Sequence, residues 1–262
     1  MTIYSWNMFF NNKEQERALD FIAHTDFDIF CLQEVPVQFL ERLKTLPYHL
    51  VSQVDVGRFV PRHEYTYLVV LSRYEIAKHN PFPFPDYWPT LPWRTRIFVA
   101  LMRPFHWGPI KDRGGMYADV SLGERRKVVR VFNLHLVLAH PAWRLEEFET
   151  AMTNRDPSLP TIVCGDFNIL ERLHVTPLNW LTGGRISDVF RYRRERTLIE
   201  ERFVAHELTN ALAGAMTHSI SRSQLDHILL SRVFTVSDVQ VVPDRYGSDH
   251  HPIRVQVVET NP

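Results

Sequence analysis

The chain has 262 residues, with 30 basic and 30 acidic side chains and a formal net charge of zero. That length supports one large domain or two small ones around a sizeable core. The charge balance excludes a protein that coats long duplexes by phosphate neutralisation, but leaves room for a compact site that grips one phosphate.

Residues 2–10, "TIYSWNMFF", read as a strand, and "NNKEQERALDFIAHT" follows with Ala18, Leu19, Ile22 and Ala23 at helical spacing. "DIFCLQEV" is a short apolar run between polar residues, the pattern of a buried strand. "PVQFLERLKTL" enters through a proline and continues as a short amphipathic helix. "YTYLVVLSR" and "RIFVALM" are expected as further strands, and the five prolines of Pro81–Trp93 between them argue against a regular element there. The Phe, Tyr and Trp of that loop suit either packing against the domain or a contact surface for bases or lipid.

The opening pattern then returns. "VVRVFNLHLV" reads as a strand, "PAWRLEEFETAM" as a helix and "PTIVCGDFNIL" as a second buried strand. Strand–helix–strand thus occurs twice, as two similar half-units that each supply one sheet. The charged 191–202 segment, "RYRRERTLIEER", has mixed signs at helical spacing, which favours a solvated helix face over a nucleic-acid patch. "QLDHILLS", "VSDVQVV" and "HPIRVQVVE" complete the chain as strands. Strands outnumber helices, and some follow one another directly, so mixed sheets with helices outside are expected rather than a purely parallel sheet. The whole chain, 1–262, reads as a single domain.

The two cysteines, Cys31 and Cys164, lie inside apolar runs and read as reduced core thiols. No charged-then-apolar leader opens the chain, and no apolar run approaches ~20 residues, so an integral membrane segment is not expected and the expected compartment is the cytoplasm.

Five stretches place polar residues where apolar strands end: "SWN", "LQEV", "NLHL", "GDFN" and "SDHHP". Ligands of sheet proteins tend to bind outside the carboxyl ends of strands. Taken singly, each has a plain structural alternative: Asn7 and Asn168 suit turns, Glu34 a paired acid at the edge of the core, Asp166 an Asx-turn after Gly165. Taken together, Glu34 with Asp249 and Asn7 nearby offers the hard oxygen ligands that Mg²⁺ prefers. Zinc would want closely spaced His and Cys, which the strand-borne cysteines do not supply.

In this order, "SWN", "LQEV", "NLHL", "GDFN", "QLDHILLS" and "SDHHPI" resemble the endonuclease/exonuclease/phosphatase superfamily, a group spanning nucleases, sphingomyelinases and inositol-polyphosphate phosphatases. The resemblance runs from Asn7 to Pro252. It implies a four-layered αββα sandwich of two mixed sheets flanked by helices, and hydrolysis of phosphoesters with Mg²⁺ or Mn²⁺. By the same resemblance, Glu34 matches the metal carboxylate and Asn7 the residue that supports the metal's water shell. Asp166 matches the acid that orients or deprotonates water, with Asn168 beside it, and His135 a donor to the scissile phosphate. Asp226 matches the acid that pairs with a catalytic histidine, His250 that histidine, and Asp249 the acid before it on the metal side. Asp188 and Arg144 are weaker matches to substrate-contacting residues, with a surface salt bridge as the alternative for Arg144. Phe9 stands where several relatives carry an acid, which puts a fully equipped second metal position in doubt.

The expected activity is a metal-dependent phosphodiesterase acting on DNA or RNA as a monomer. The alternatives are a phosphatase or lipid phosphodiesterase using the same chemistry, and, least favoured, a non-catalytic binding protein. In the extended segment around His250 and His251, adjacent residues point opposite ways, so His251 is expected to pack or be solvated.

Overall fold

The structure is a computed structural model, and it describes residues 1–58, 64–102, 110–123, 127–138, 140–190 and 194–259. The elements run β1 (Thr2–Asn7), α1 (Gln15–His24), β2 (Ile29–Pro36), α2 (Val37–Leu43), β3 (His49–Arg58), β4 (Glu64–Ser72), β5 (Ile76–Pro83), α3 (Trp93–Leu101), β6 (Ile110–Lys111), β7 (Gly114–Leu122), β8 (Lys127–His135), α4 (Pro141–Met152), β9 (Thr161–Asp166), α5 (Thr176–Leu181), α6 (Ser187–Phe190), α7 (Arg194–Ala205), β10 (Leu208–Asn210), β11 (Asp226–Ser231), β12 (Phe234–Val241) and β13 (Ile253–Glu259). They form two mixed sheets. One has the order β12-β13-β1-β2-β4-β3-β6 and the other β10-β11-β9-β8-β7-β5.

Each sheet is built around one parallel pair joined by a helix. β1 runs parallel to β2 through α1, with Asn7 opposite Gln33; β8 runs parallel to β9 through α4, with His135 opposite Asp166. The remaining strand pairs are antiparallel. The two half-units read from the sequence are therefore the centres of the two sheets, and each delivers polar residues to the same strand ends.

The side-chain alternation of the central strands explains the layering, because a strand sends successive side chains to opposite faces. In β1, Ile3 joins Cys31, Val70, Val131, Cys164 and Ile228 between the sheets, while Tyr4 and Trp6 face outward against α1 and α2 through Ala18, Ile22, Phe39 and Leu40. In the second sheet Phe132 and Leu134 face outward against Phe148 of α4 and Ile199 and Phe203 of α7. Strands covered on both faces need apolar residues at every position, which is why "DIFCL" and "TIVC" show no alternation. Both cysteines are free and buried.

Three expectations need correction. "RIFVALM" is not a strand: Trp93–Leu101 forms α3, started by Pro92, whose carbonyl accepts the amides of Thr95 and Arg96. Thr95 is its only fully buried residue, and Trp93, Ile97 and Leu101 lie on the exposed side. The sheet places are taken instead by β3 and β7, which carry no long apolar run. Second, the proline loop is partly regular. β5 reaches Pro83 as an edge strand on β7, where a missing amide donor costs least, and it buries Phe82 while Phe84 beyond it is also buried. Third, the charged 191–202 segment is not simply a solvated face. Residues 191–193 lie outside the described ones, and in α7 Glu195 and Arg196 point inward. Arg196 donates to Glu171 and to the Gln224 carbonyl and lies 2.7 Å from His227 Nε2, tying the helix to β11.

Candidate active site

The site forms where the parallel pairs end. At the end of β2 the ladder to β4 is interrupted between Leu32 and Val35, and Glu34 takes a positive φ of 55°. At the end of β9, Asn168 has φ 53°. Such backbone strain in a non-glycine residue costs roughly 1–3 kcal/mol and persists where the surroundings impose it, commonly at functional sites. Gly165 is dictated by a close approach: its φ is 147°, and a Cβ there would fall 1.9 Å from the Leu134 carbonyl oxygen. This contact lets β9 lie close enough to β8 to set Asp166 beside His135.

Asp166 is the hub. Its Oδ2 accepts the Asn7 amide at 3.0 Å, and its Oδ1 accepts the Asn168 backbone amide at 2.8 Å. The Nε2 atoms of His135 and His250 each lie 3.7 Å from the same Oδ2. Glu34 Oε1 lies 3.9 Å from His135 Nε2, and Oε2 accepts the Phe10 amide at 3.0 Å. Asn168 Nδ2 donates to the Leu136 carbonyl, so this asparagine braces the loops rather than facing the cluster.

Both histidines are held from behind by a buried acid. His250 Nδ1 is 2.8 Å from Asp226 Oδ2, and His135 Nδ1 is 2.9 Å from Asp55 Oδ2. Burial alone would push each ring's pKa down. For His250 the carboxylates of Asp226, Asp166 and Asp249 outweigh burial and raise it to about 10. For His135, Asp55, Asp166 and Glu34 do the same and raise it to about 9. Both rings are therefore imidazolium at neutral pH, with Nδ1–H donated to the acid behind and Nε2–H facing Asp166. Burial pushes the Asp226 carboxyl up, against the pull of His250.

Asp55 was not anticipated from the sequence. It sits where the β3–β4 register shifts between Val54 and Val56, and its other contact is with the Glu34 amide at 3.1 Å. A buried acid inside "VDV", in a strand that is otherwise half-polar, is the one signal that could have marked it. His218 was also missed; its Nε2 lies 3.5 Å from Asp249 Oδ2.

The remaining candidates separate. His251 turns away, its Nδ1 2.9 Å from the Val242 carbonyl oxygen. Gly247, at φ 85°, passes Asn12 where a Cβ would meet Oδ1 at 2.3 Å; the turn it makes presents Ser248, whose hydroxyl donates to the Asn7 carbonyl and accepts the His250 amide. The ends of β1 and the His250 segment are thereby fastened together. Arg144 needs correction: it is fully buried, ion-paired to Glu195, and donates to the Val137 and Leu138 carbonyls. It braces the loop after His135 and presents neither a phosphate contact nor a surface salt bridge. Asp188 lies on α6, and its side chain is outside the described ones. Asn133 of "NLH" is a clamp between the sheets, donating to the Leu32 and Val69 carbonyls and accepting from Gln33.

The donor set fits a divalent cation. Four carboxylates, those of Glu34, Asp55, Asp166 and Asp226, gather around the imidazoles of His135 and His250. Asp226 Oδ1 is buried without a hydrogen-bond partner among the described residues. Ligand-capable atoms of Asp166, Asp226 and His250 lie within 4.8 Å of one another, as do those of His218, Asp249 and His250; neither group includes Glu34, and with His250 protonated on both nitrogens their carboxylates are the atoms left to ligate. The donors with open geometry are carboxylate oxygens, which suit a hard cation.

Comparison with known proteins agrees with this architecture. The model of the Endonuclease/Exonuclease/phosphatase family matches residues 4–250. Among solved structures, an endonuclease/exonuclease/phosphatase from Beutenbergia cavernae DSM 12333 is 17% identical, with 99% of this chain and 71% of that one covered at a TM-score of 0.71. A mannosyl-6-phosphatase from Bacteroides thetaiotaomicron VPI-5482 is 19% identical, covering 98% and 99% at 0.62. A 3′ phosphatase from Neisseria, bound to a product DNA hairpin, is 18% identical, covering 98% of each chain at 0.61. At these identities the likeness shows the fold. No match was found among curated proteins.

Proposed function

We propose that this chain, which belongs to the endonuclease/exonuclease/phosphatase family, is a divalent-metal-dependent hydrolase of phosphoester bonds in nucleic acid, acting at strand ends or unpaired segments. One observation carries the chemistry: two acid-backed histidines direct their Nε2 atoms at one carboxylate oxygen of Asp166. A phosphoryl group entering between them meets two N–H donors on its equatorial oxygens and a carboxylate that can hold water in line.

In this reading Asp166 orients the attacking water and takes its proton as the new P–O bond forms and the P–O bond to the leaving alcohol breaks, the departing oxygen taking a proton from solvent. His135 and His250, both cationic, stabilise the negative charge that grows on the phosphoryl oxygens. Asp55 and Asp226 fix the two rings and keep them charged, as the acid of a triad does for its imidazole. Glu34 would hold the metal, with Asn7 and Asp249 as further candidates; Mg²⁺ or Mn²⁺ held there would polarise a phosphate oxygen. Asn168 sets the loop that carries Asp166.

Nucleic acid as substrate is supported by the likeness to the Neisseria 3′ phosphatase bound to DNA. The zero net charge argues for a grip confined to a few nucleotides. A second reading keeps the chemistry and replaces the substrate with a small phosphomonoester. It is favoured by the comparable likeness to the mannosyl-6-phosphatase. Hydrolysis of 3′-phosphorylated, nicked and single-stranded oligonucleotides, set beside sugar phosphates, inositol phosphates and sphingomyelin, separates the two. Turnover of an oligonucleotide supports the first reading; turnover of sugar phosphates alone replaces it with the second.

A further inference from the structure

We propose that His218 is a positioning residue whose Nε2–H fixes the Asp249 carboxylate at the metal side of the site. This rests on the reading of Asp249 given above. His218 lies between β10 and β11 and is bridged to Ser223 and to His250. Its Nδ1 accepts the backbone amide of Ser221 at 3.1 Å and lies 2.8 Å from the Ser221 hydroxyl. A ring nitrogen that accepts a backbone N–H offers its lone pair there, which leaves the ring's N–H on Nε2. That N–H faces Asp249 Oδ2 at 3.5 Å.

The tautomer decides between two roles. The ligand-capable atoms of His218, Asp249 and His250 are close enough to surround an ion. Ligation by His218 Nε2 would need a lone pair that this tautomer does not have, and His250 Nε2 faces Asp166. His218 therefore donates to the acid instead of binding beside it. Its ring also packs against that of His250, with centroids 4.6 Å apart and planes at 46°.

One short segment thus steadies both acids that flank His250. Thr217 Oγ1 accepts the amides of Leu225 and Asp226, fixing the backbone that carries Asp226. The next residue, His218, sets its Nε2 3.5 Å from Oδ2 of Asp249. The Thr217 carbonyl accepts the His251 amide, which fastens the segment to the His250 strand from the other side.

The test uses two variants. His218→Phe keeps the ring's shape and removes the donor; His218→Gln places an amide N–H within reach of Asp249. Mn²⁺ binding is measured directly by electron paramagnetic resonance, and the histidine ring ¹⁵N resonances of the wild type are recorded by NMR. The proposal expects a pyridine-like Nδ1 and protonated Nε2 for His218, a loss of about tenfold or more in Mn²⁺ affinity for the Phe variant, the scale of an outer-sphere partner, and substantial recovery in the Gln variant. A protonated Nδ1, an unchanged Mn²⁺ affinity in His218→Phe, or an equal loss in both variants would overturn it. Neither readout needs turnover. A protein that hydrolyses nothing in the substrate panel but passes both tests would refute the proposed activity while leaving the role of His218 intact.

Discussion

Replacing Asp226 by Asn removes one charge behind His250 and little else. The carboxamide has the same shape, and its oxygen still accepts the Nδ1–H that the carboxylate now accepts at 2.8 Å. What changes is the protonation of the ring. With Asp226 ionised, His250 stands at about 10 and is almost wholly imidazolium at pH 8. Without that acid it moves back toward its ordinary ~6.5, where only about 3% is protonated at pH 8 but roughly three quarters at pH 6. If the imidazolium stabilises the phosphoryl charge, kcat/KM of Asp226→Asn should fall about 30-fold at pH 8 and less than about twofold at pH 6. Burial opposes the charged ring while Asp166 and Asp249 still support it, so the ring is expected near its ordinary value in this variant. The assay is a pH profile of kcat/KM for both proteins on the best substrate of the panel, at saturating Mg²⁺. A loss of equal depth at both pH values, or none at either, would refute the argument that Asp226 acts through the charge of His250.

His251→Ala should retain most activity while His250→Ala loses it, since among the described residues His251 bonds to the Val242 and Thr217 carbonyls and not to the cluster; equal losses in steady-state rates would show the choice between the two histidines wrong. Gly165→Ala should destabilise the fold by about 3 kcal/mol or more, measured by denaturant unfolding, because its Cβ would collide with backbone that cannot yield. A metal-free sample should lose stability as pH rises. The folded-state pKa values of His135 and His250 are raised, to about 9 and about 10, so their contribution is complete below ~6.5 and fades as pH climbs through those values. Thermal midpoints followed from pH 7 to 10 should fall, and less steeply in His250→Asn; identical slopes would contradict the buried imidazolium.

Much of this site can be read from the chain because its parts stand at the ends of continuous apolar runs. Asn7, Glu34, His135 and Asp166 close β1, β2, β8 and β9, and a run that stops at a polar residue shows both the strand and its functional end. His250 was separable from His251 because alternation allows only one of two neighbours into the cluster. Asp55 was not legible in this way. It is an acid inside a short half-polar strand, aimed inward by a local register shift that no spacing pattern records. Arg144 misled for the converse reason: a charged residue on an amphipathic helix looks solvent-facing until a partner such as Glu195, 51 positions later, is brought against it. In α3 the apolar run suggested a strand by composition, while Pro92 stands where a helix begins and the run after it is helical.

The account stands most directly on whether a cation and Asp166 are both required for phosphoester cleavage. The substrate panel, run with Mg²⁺ or Mn²⁺ and again with excess chelator, on wild type and Asp166→Asn, measures this in one series. The account predicts turnover of at least one phosphoester by the wild type with metal, loss to background on chelation and recovery on adding Mg²⁺, and a drop of at least about a hundredfold in an Asp166→Asn protein whose circular dichroism shows it folded. Turnover that survives chelation, a fully active Asp166→Asn, or a folded wild type inert toward every phosphoester in the panel would contradict it.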